Sequence, residues 1–142
     1  MFALFCFYFS PVMKKESLGR IEILKKRKDI EFLIQSGKRI NKEGMSLIWT
    51  EMKEERDFPF KTLFSVPRKK FKRAVDRNLL KRRMREVFRK NKSELYAYFN
   101  KSNIRLNLMF IYQSREILEY GEIENKIVLL LKDLLTKYEE TP

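Results

Sequence analysis

The sequence contains no histidine and only one cysteine, Cys6, among its 142 residues. The absence of histidine excludes histidine-based metal centres and every catalytic arrangement that uses imidazole as acid or base. One cysteine can form neither an internal disulfide nor a zinc site, and so little cysteine is typical of a reducing compartment. Since there is also no credible export signal, we expect a cytoplasmic protein that binds no metal by itself.

The sequence also lacks an apolar run long enough for a membrane span. Residues 1–13 are uncharged and rich in phenylalanine, but they are too few to cross a bilayer. They have neither the basic start nor the small-residue cleavage site of a signal peptide. We expect residues 1–20 to be an N-terminal extension that is either disordered or a mis-assigned start, with residues 1–12 preceding a true start at Met13. Residues 21–142 are expected to form a single domain with no membrane contact.

Negative charge is nearly absent from one segment, residues 68–92. This segment contains thirteen lysines and arginines against two carboxylates, Asp76 and Glu86, which gives a net charge of +11. The whole chain carries +13, so the other 117 residues contribute only +2. A charge excess concentrated in this way indicates a binding site for a polyanion rather than a general aid to solubility.

The same segment has the spacing of an amphipathic helix, with Asp76 as its predicted N-cap. A buried stripe is predicted from residues that recur at i, i+4, i+7 and i+8, namely Leu80, Met84, Val87 and Phe88. Cations fall beside the stripe at Arg77, Lys81, Arg85, Arg89 and Lys92, and Asn78 and Arg82 widen the band. A solvated helix surface alternates charge signs to form i,i+4 pairs. The stack of like charges therefore favours a phosphate-rich partner.

Periodicity predicts the remaining elements. Ile30, Leu33 and Ile34 have helical spacing within residues 24–37, and Gly37 is placed just past the helix end. Strands are predicted at 45–52, 58–66 and 106–112, the third buried on both faces, and a further short strand is compatible with residues 38–41. A long amphipathic helix is predicted at 122–138. The order α-β-β-α-β-α favours an α+β fold, a two-layer α/β sandwich with helices packed on a central sheet.

The run A-V-D-R-N-L-L-K-R-R-M-R-E resembles the signature of the bacterial ribonuclease P protein component. Five positions match that signature residue by residue: Arg77, Asn78, Lys81, Arg82 and Arg85. Leu79 departs from it, since the family usually has a second arginine there, and Lys72 stands where the family usually has glycine. The resemblance extends over about residues 23–138 and implies a left-handed crossover between the basic helix and the sheet, and a cleft between the first helix and the sheet.

The resemblance also implies a function. In the family, the RNA subunit carries the catalytic centre and its Mg²⁺ ions, and the protein binds that RNA and the 5′ leader of precursor tRNA, with no obligate protein partner. The expected RNA contacts are Lys69, Lys70, Arg73, Arg77, Asn78, Lys81, Arg82, Arg85 and Arg89. The expected leader cleft contains Trp49 and Phe64 on strands and Ile30 and Ile34 where the family has phenylalanines. Without the resemblance, these four residues would be interpreted as core.

No catalytic residue is expected in the protein itself. The carboxylates outside the basic segment fall mainly in predicted turns and on helix surfaces, as do Glu51, Glu54, Glu55, Asp57, Glu139 and Glu140. That arrangement does not suit a two-metal nuclease site. The protein is therefore expected to be an accessory subunit of an endoribonuclease whose chemistry is carried out by RNA.

Two alternative functions share the basic helix. A ribosomal or other structural RNA-binding protein would bind RNA without a role in catalysis and without selectivity for a leader. A DNA-binding module would place the helix in the major groove. Recognition helices mix Asn, Gln and Ser among their cations to contact bases, and Asn78 is the only such residue on the cationic face.

Overall fold

The computed structural model describes residues 22–53 and 58–140. The expected N-terminal extension lies outside the described residues, as do Glu54, Glu55 and Asp57. The described chain forms, in order, α1 (Arg27–Ser36), β1 (Lys38–Lys42), β2 (Met45–Met52), β3 (Phe60–Ser65), α2 (Ala74–Asn91), α3 (Ser93–Lys101), β4 (Arg105–Tyr112) and α4 (Tyr120–Glu140).

The four strands form one sheet in the order β1-β2-β4-β3. β1 pairs antiparallel with β2, and β2 pairs antiparallel with β4. β3 pairs parallel with β4, so α2 and α3 together form the crossover that joins these two strands. The left-handed sense of this crossover stays a prediction from the family resemblance. Helices cover both faces of β4, which explains the near-continuous apolarity of its sequence.

Because side chains alternate between the two faces along each strand, the apolar residues form two clusters, one on each face of the sheet. The larger cluster joins β2, β3 and β4 to α2, α3 and α4. The smaller one joins α1 to the other face through Leu33, Ile48 and Met109. The predicted α+β fold with helices packed on a sheet is confirmed, and α1 adds a partial third layer on the opposite face.

The four apolar residues predicted to form the stripe of the basic helix are all fully buried: Leu80, Met84, Val87 and Phe88. The short strand at residues 38–41 is also confirmed, as β1. Two features of the fold differ from the prediction, namely α3 and the N-cap of α2. α3 was not predicted; its Tyr96 and Phe99 pack edge-on against Phe60, with ring centroids 5.1 and 5.2 Å apart.

The predicted N-cap role of Asp76 is wrong. The helix begins at Ala74, Arg73 occupies the N-cap, and no side chain caps it. Asp76 lies within the first turn instead, where a carboxylate is favourable near the positive end of the helix dipole.

Gly37 ends α1 for a reason of space rather than of backbone conformation. Its φ of −72° is not left-handed. A Cβ at this position would lie 2.3 Å from the carbonyl oxygen of Leu33 and 2.5 Å from Cγ2 of Ile48. Glycine therefore lets the end of α1 press onto β2. No helix in the described part of the chain is long and apolar enough to cross a membrane.

Candidate nucleic-acid interface

The loop between β3 and α2 is fixed by one aromatic anchor. The carbonyl of Pro67 accepts hydrogen bonds from the amides of Lys70 and Phe71, at 3.3 and 3.2 Å. The Phe71 ring is buried and meets the Tyr112 ring edge-on, with centroids 5.6 Å apart. Because Phe71 points inwards, its basic neighbours in the loop are exposed to solvent.

Arg77 closes this loop onto the start of α2. Its Nη1 donates to the carbonyl oxygen of Phe71 at 2.8 Å and to that of Lys72 at 2.9 Å. The ammonium of Lys70 donates to the carbonyl of Gln113, which ties the other side of the loop to the end of β4. Arg77 and Lys70 thus hold the loop in place, in addition to carrying charge.

Lys72 does not disturb the loop although the family usually has glycine there. In the described part of the chain, the only non-glycine residue with positive φ is Asn103. Lys72 therefore adopts a backbone conformation that any residue tolerates. Its side chain is exposed and adds a cation to the loop.

The outward face of α2 continues the charge of the loop. Asn78, Arg82 and Arg85 are exposed, and Lys81 is half-buried beside them. Seven cations of the loop and helix have side chains that form no hydrogen bond or ion pair within the described residues, and we name them the basic surface: Arg68, Lys69, Lys72, Arg73, Lys81, Arg82 and Arg85. Sequence reasoning left Arg68 and Lys72 out of the site, although both belong to the same basic stretch, residues 68–73, which only Phe71 interrupts.

Some cations of this segment serve the fold instead. Arg89, a predicted RNA contact, donates to both carboxylate oxygens of Glu86 at 3.0 and 2.5 Å. Its hydrogen bond to the carboxylate holds the pKa of Glu86 below the usual value. Arg83 donates to the carbonyl of Leu118 at 2.5 Å, on the side of α2 that faces the start of α4.

The placement of Lys92 on the cationic face is wrong. Lys92 is fully buried, and its ammonium lies 3.2 Å from each carboxylate oxygen of Glu22. The Tyr96 hydroxyl donates to the same carboxylate at 2.8 Å. Desolvation lowers the pKa of Lys92, although the Glu22 carboxylate opposes that shift. This pair joins the end of α2 to the segment before α1, which also bridges to β3 at Thr62.

The four residues predicted for the leader cleft do not lie together. Ile30 packs half-buried on the smaller cluster, and Ile34 is 55% exposed on α1. Trp49 and Phe64 are 3% and 6% exposed and belong to the larger cluster on the opposite face of the sheet. Their assignment to one cleft with α1 is therefore wrong, because both side chains point away from α1.

Trp49 is held in the core by its neighbours. The ammonium of Lys137 lies 5.7 Å from the centroid of its ring. The side chains of Tyr138 and Glu51 lie beside it. Burial, and then the Glu51 carboxylate, raise the pKa of Tyr138 well above its usual value. A nucleobase has no free face of Trp49 on which to stack.

The described residues offer no group of three or more Cys, Asp or Glu side chains with the geometry of a metal site. The exposed cations of the interface support electrostatic contacts. Guanidinium and ammonium groups can pair with phosphate oxygens, and the exposed amide of Asn78 can donate to a base or to a sugar.

Comparisons with known proteins identify the family to which this chain is similar. The profile described as Ribonuclease P matches residues 18–134. The ribonuclease P protein component of Chlorobium phaeobacteroides is 34% identical over 104 residues, which cover 68% of this chain and 71% of the relative. That of Chlorobaculum tepidum is 30% identical over 132 residues, covering 87% of this chain and 86% of the relative.

Solved structures agree on the fold. The Staphylococcus aureus RNase P protein superposes with a TM-score of 0.61 at 23% identity, covering 80% of this chain and 94% of that one. The Thermotoga maritima RNase P protein gives 0.61 at 22% identity, covering 78% and 96%. The sequence match over most of the chain, together with the shared fold, establishes that this chain belongs to the ribonuclease P protein component family, the protein subunits of an endoribonuclease ribonucleoprotein.

Proposed function

We propose that the basic surface docks on the RNA subunit of ribonuclease P, and that the docked protein then helps to bind precursor tRNA. The observation that carries this proposal is the set of seven cations with no partner in the described chain. Like charges this close repel one another, so the arrangement is stable only with an anionic partner or a shell of counterions. A folded RNA supplies phosphates at comparable density.

The loop and the helix have different parts in this docking. The loop is anchored by Phe71 and Arg77, so its cations are presented with little conformational freedom to lose. The helix presents Arg82 and Arg85 less than one turn apart. Arginine binds phosphate through two parallel hydrogen bonds, which gives register as well as affinity. Half-buried Leu79 leaves the family's second arginine position without a cation.

The chemical step is assigned to the RNA. Mg²⁺ held by the RNA subunit would activate water and stabilise the leaving oxygen when the 5′ leader is removed. The protein contributes positive charge, which lowers the repulsion between the RNA subunit and an anionic substrate. Support for this division comes from the chain itself, which has no histidine to act as acid or base. Because precursor tRNA is the proposed substrate, the cytoplasm is the proposed location of this activity.

The leader is proposed to run along α1 on the face of the sheet away from α2. Ile34 is exposed there and Ile30 is half-buried. On the sheet below them, Leu63, Ser65 and Ile111 share this face and are half-buried. Isoleucine cannot stack as the family's phenylalanines do, so the contact with bases at these two positions is apolar packing.

Binding to the RNA subunit tests the proposal directly. The double variant Arg82→Glu with Arg85→Glu should weaken binding on the order of tenfold or more, because two phosphate contacts become repulsive. Lys101→Glu is the matched control, since Lys101 is an exposed cation at the end of α3, outside the basic surface. Filter binding at several salt concentrations gives both affinities. An equal loss for the double variant and the control, or no loss for either, would refute docking through this surface.

A further inference from the structure

A second cluster of cations lies at the amino end of α1, far from α2 in sequence. Lys25, Lys26, Arg27 and Lys28 are consecutive and all exposed. Arg27 donates to Glu31 at 3.2 Å, and the side chains of the three lysines form no hydrogen bond or ion pair within residues 22–53 and 58–140. Cations at a helix amino end are opposed by the helix dipole. Asp29 is the acidic residue of the first turn, and a single carboxylate there offsets the four cations only in part.

An exposed aromatic ring accompanies these cations. Phe32 is 50% exposed, and Lys28 precedes it by four residues, so the two side chains are neighbours on one side of α1. Gln35 and Ser36, about one turn further on, are exposed as well. α1 therefore has an aromatic face next to a cation and to polar groups that can hydrogen bond.

This side of the helix differs from the one that carries the proposed leader contacts. With 100° per residue and buried Leu33 as the reference, Ile30 and Ile34 lie on one flank and Phe32 lies on the other. A strand that follows the Ile30 flank has to cross or pass the end of α1 to reach Phe32. Only a leader of several nucleotides is long enough for both contacts.

We infer that Lys28 and Phe32 form a second contact for the single-stranded 5′ leader, in which a base stacks on the Phe32 ring and a neighbouring phosphate pairs with Lys28. The inference rests on the proposed function and extends it to a surface outside the groove between α1 and the sheet. Aromatic rings beside cations are the combination that single-stranded nucleic acids require, and stacking on a ring is tolerant of base identity. Lys25 and Lys26 would add attraction at longer range.

The test compares the holoenzyme's affinity for precursor tRNA with a long leader, precursor tRNA with a leader cut to its last nucleotides, and mature tRNA. Phe32→Leu keeps an apolar side chain but removes the ring, and should weaken binding of the long leader at least about fivefold. Binding of the other two RNAs should be unchanged. Phe32→Trp should retain wild-type affinity. For the long leader, Lys28→Gln should reduce the slope of log K against log[salt] by about 0.7, the value of one phosphate contact to a single strand.

Leu129→Ala is the matched control, because Leu129 is also 50% exposed but lies on α4, on the other face of the sheet. The inference is overturned if Phe32→Leu binds the long leader like wild type, or if it weakens all three RNAs equally. It is also overturned if Phe32→Leu only abolishes self-association in sedimentation, which would make Phe32 a contact between copies. Binding of the RNA subunit by the same variant, expected to be normal, separates these failures from a failure of the proposed function.

Discussion

Arg77 and Arg85 are both arginines of the family signature, yet the structure predicts different effects when each is removed. Arg85 is exposed and has no partner in the described chain, whereas Arg77 is half-buried and bound to two carbonyl groups of the loop. Arg85→Ala should therefore remove one phosphate contact and nothing else. Arg77→Ala should loosen the loop that carries Arg68, Lys69 and Lys72.

The magnitudes follow from these contacts. A hydrogen bond from a charged donor contributes about 1.5–3 kcal/mol to the free energy of unfolding. Because Arg77 is half-buried and partly screened by solvent, we expect its two bonds together to contribute about 1.5–3 kcal/mol. In a chain of this size, such a loss lowers the Tm on the order of 5–10 °C. Arg85→Ala changes an exposed helix residue to the best helix former, so its free energy of unfolding should change by less than about 0.5 kcal/mol.

Salt dependence of RNA binding provides the second readout. Arg85→Ala should reduce the slope of log K against log[salt] by about 0.7–0.9, the value of one contact. Arg77→Ala should reduce the slope by more than one contact, since several loop cations lose their fixed positions. Lys101→Ala, at an exposed cation of α3, should change neither the slope nor the Tm.

Thermal melting and filter binding on the same preparations separate the two roles. Arg77→Lys is informative because it keeps the charge but cannot bridge two carbonyls with one rigid group. It should recover little of the lost Tm. If Arg77→Ala melts like wild type and flattens the slope by the same single contact as Arg85→Ala, then Arg77 is a direct phosphate contact and the assignment to the loop is refuted.

Three further outcomes are expected. Trp49→Ala should lower the free energy of unfolding by about 3–5 kcal/mol. A folded Trp49→Phe variant should bind precursor and mature tRNA with wild-type selectivity. Selective loss of leader binding by that variant would show that Trp49 contacts the leader after all. Lys92→Met should cost about 3–5 kcal/mol because Glu22 is left buried without its cation, and urea melts in which it matches wild type would contradict that role. Because the pKa of Tyr138 is raised from 10.0, its contribution to stability is complete below pH 10 and is lost as the pH rises further. Tyr138→Phe should flatten the alkaline decline in urea melts, and a decline as steep as that of wild type would contradict the shift.

The fold could be predicted from the sequence where periodicity and burial coincide. α2 has one apolar face and one charged face, so the spacing of its apolar residues alone identifies the four buried ones. Residues 108–112 of β4 form a continuous apolar run because both faces of the strand are covered by helices. α3 was missed because a helix of nine residues offers only about two and a half turns of pattern. Its position also depends on Tyr96 and Phe99, which contact Phe60 from a distant part of the chain.

The site could be predicted only in part, since charge shows in the sequence while partners do not. Residues 68–92 were identified as basic, but nothing in the sequence pairs Lys92 with Glu22, seventy residues earlier. The error over Trp49 has a different origin. Met45, Leu47 and Trp49 share one face of β2 and belong to the larger cluster. The residues alone indicated a core position for Trp49, and the family resemblance outweighed that interpretation.

The central claim, that this chain assists an RNA that performs the cleavage, is tested most directly by reconstitution at low Mg²⁺. The purified protein is added to the cognate RNA subunit, and release of the 5′ leader from precursor tRNA is measured. We expect the RNA alone to be nearly inactive under these conditions, the protein alone to be inactive at every Mg²⁺ concentration, and the mixture to produce the mature 5′ end. The double variant Arg82→Glu with Arg85→Glu should fail to restore cleavage, while Lys101→Glu should restore it fully. Correct cleavage by protein freed of RNA, or a mixture no more active than the RNA alone, would contradict the account.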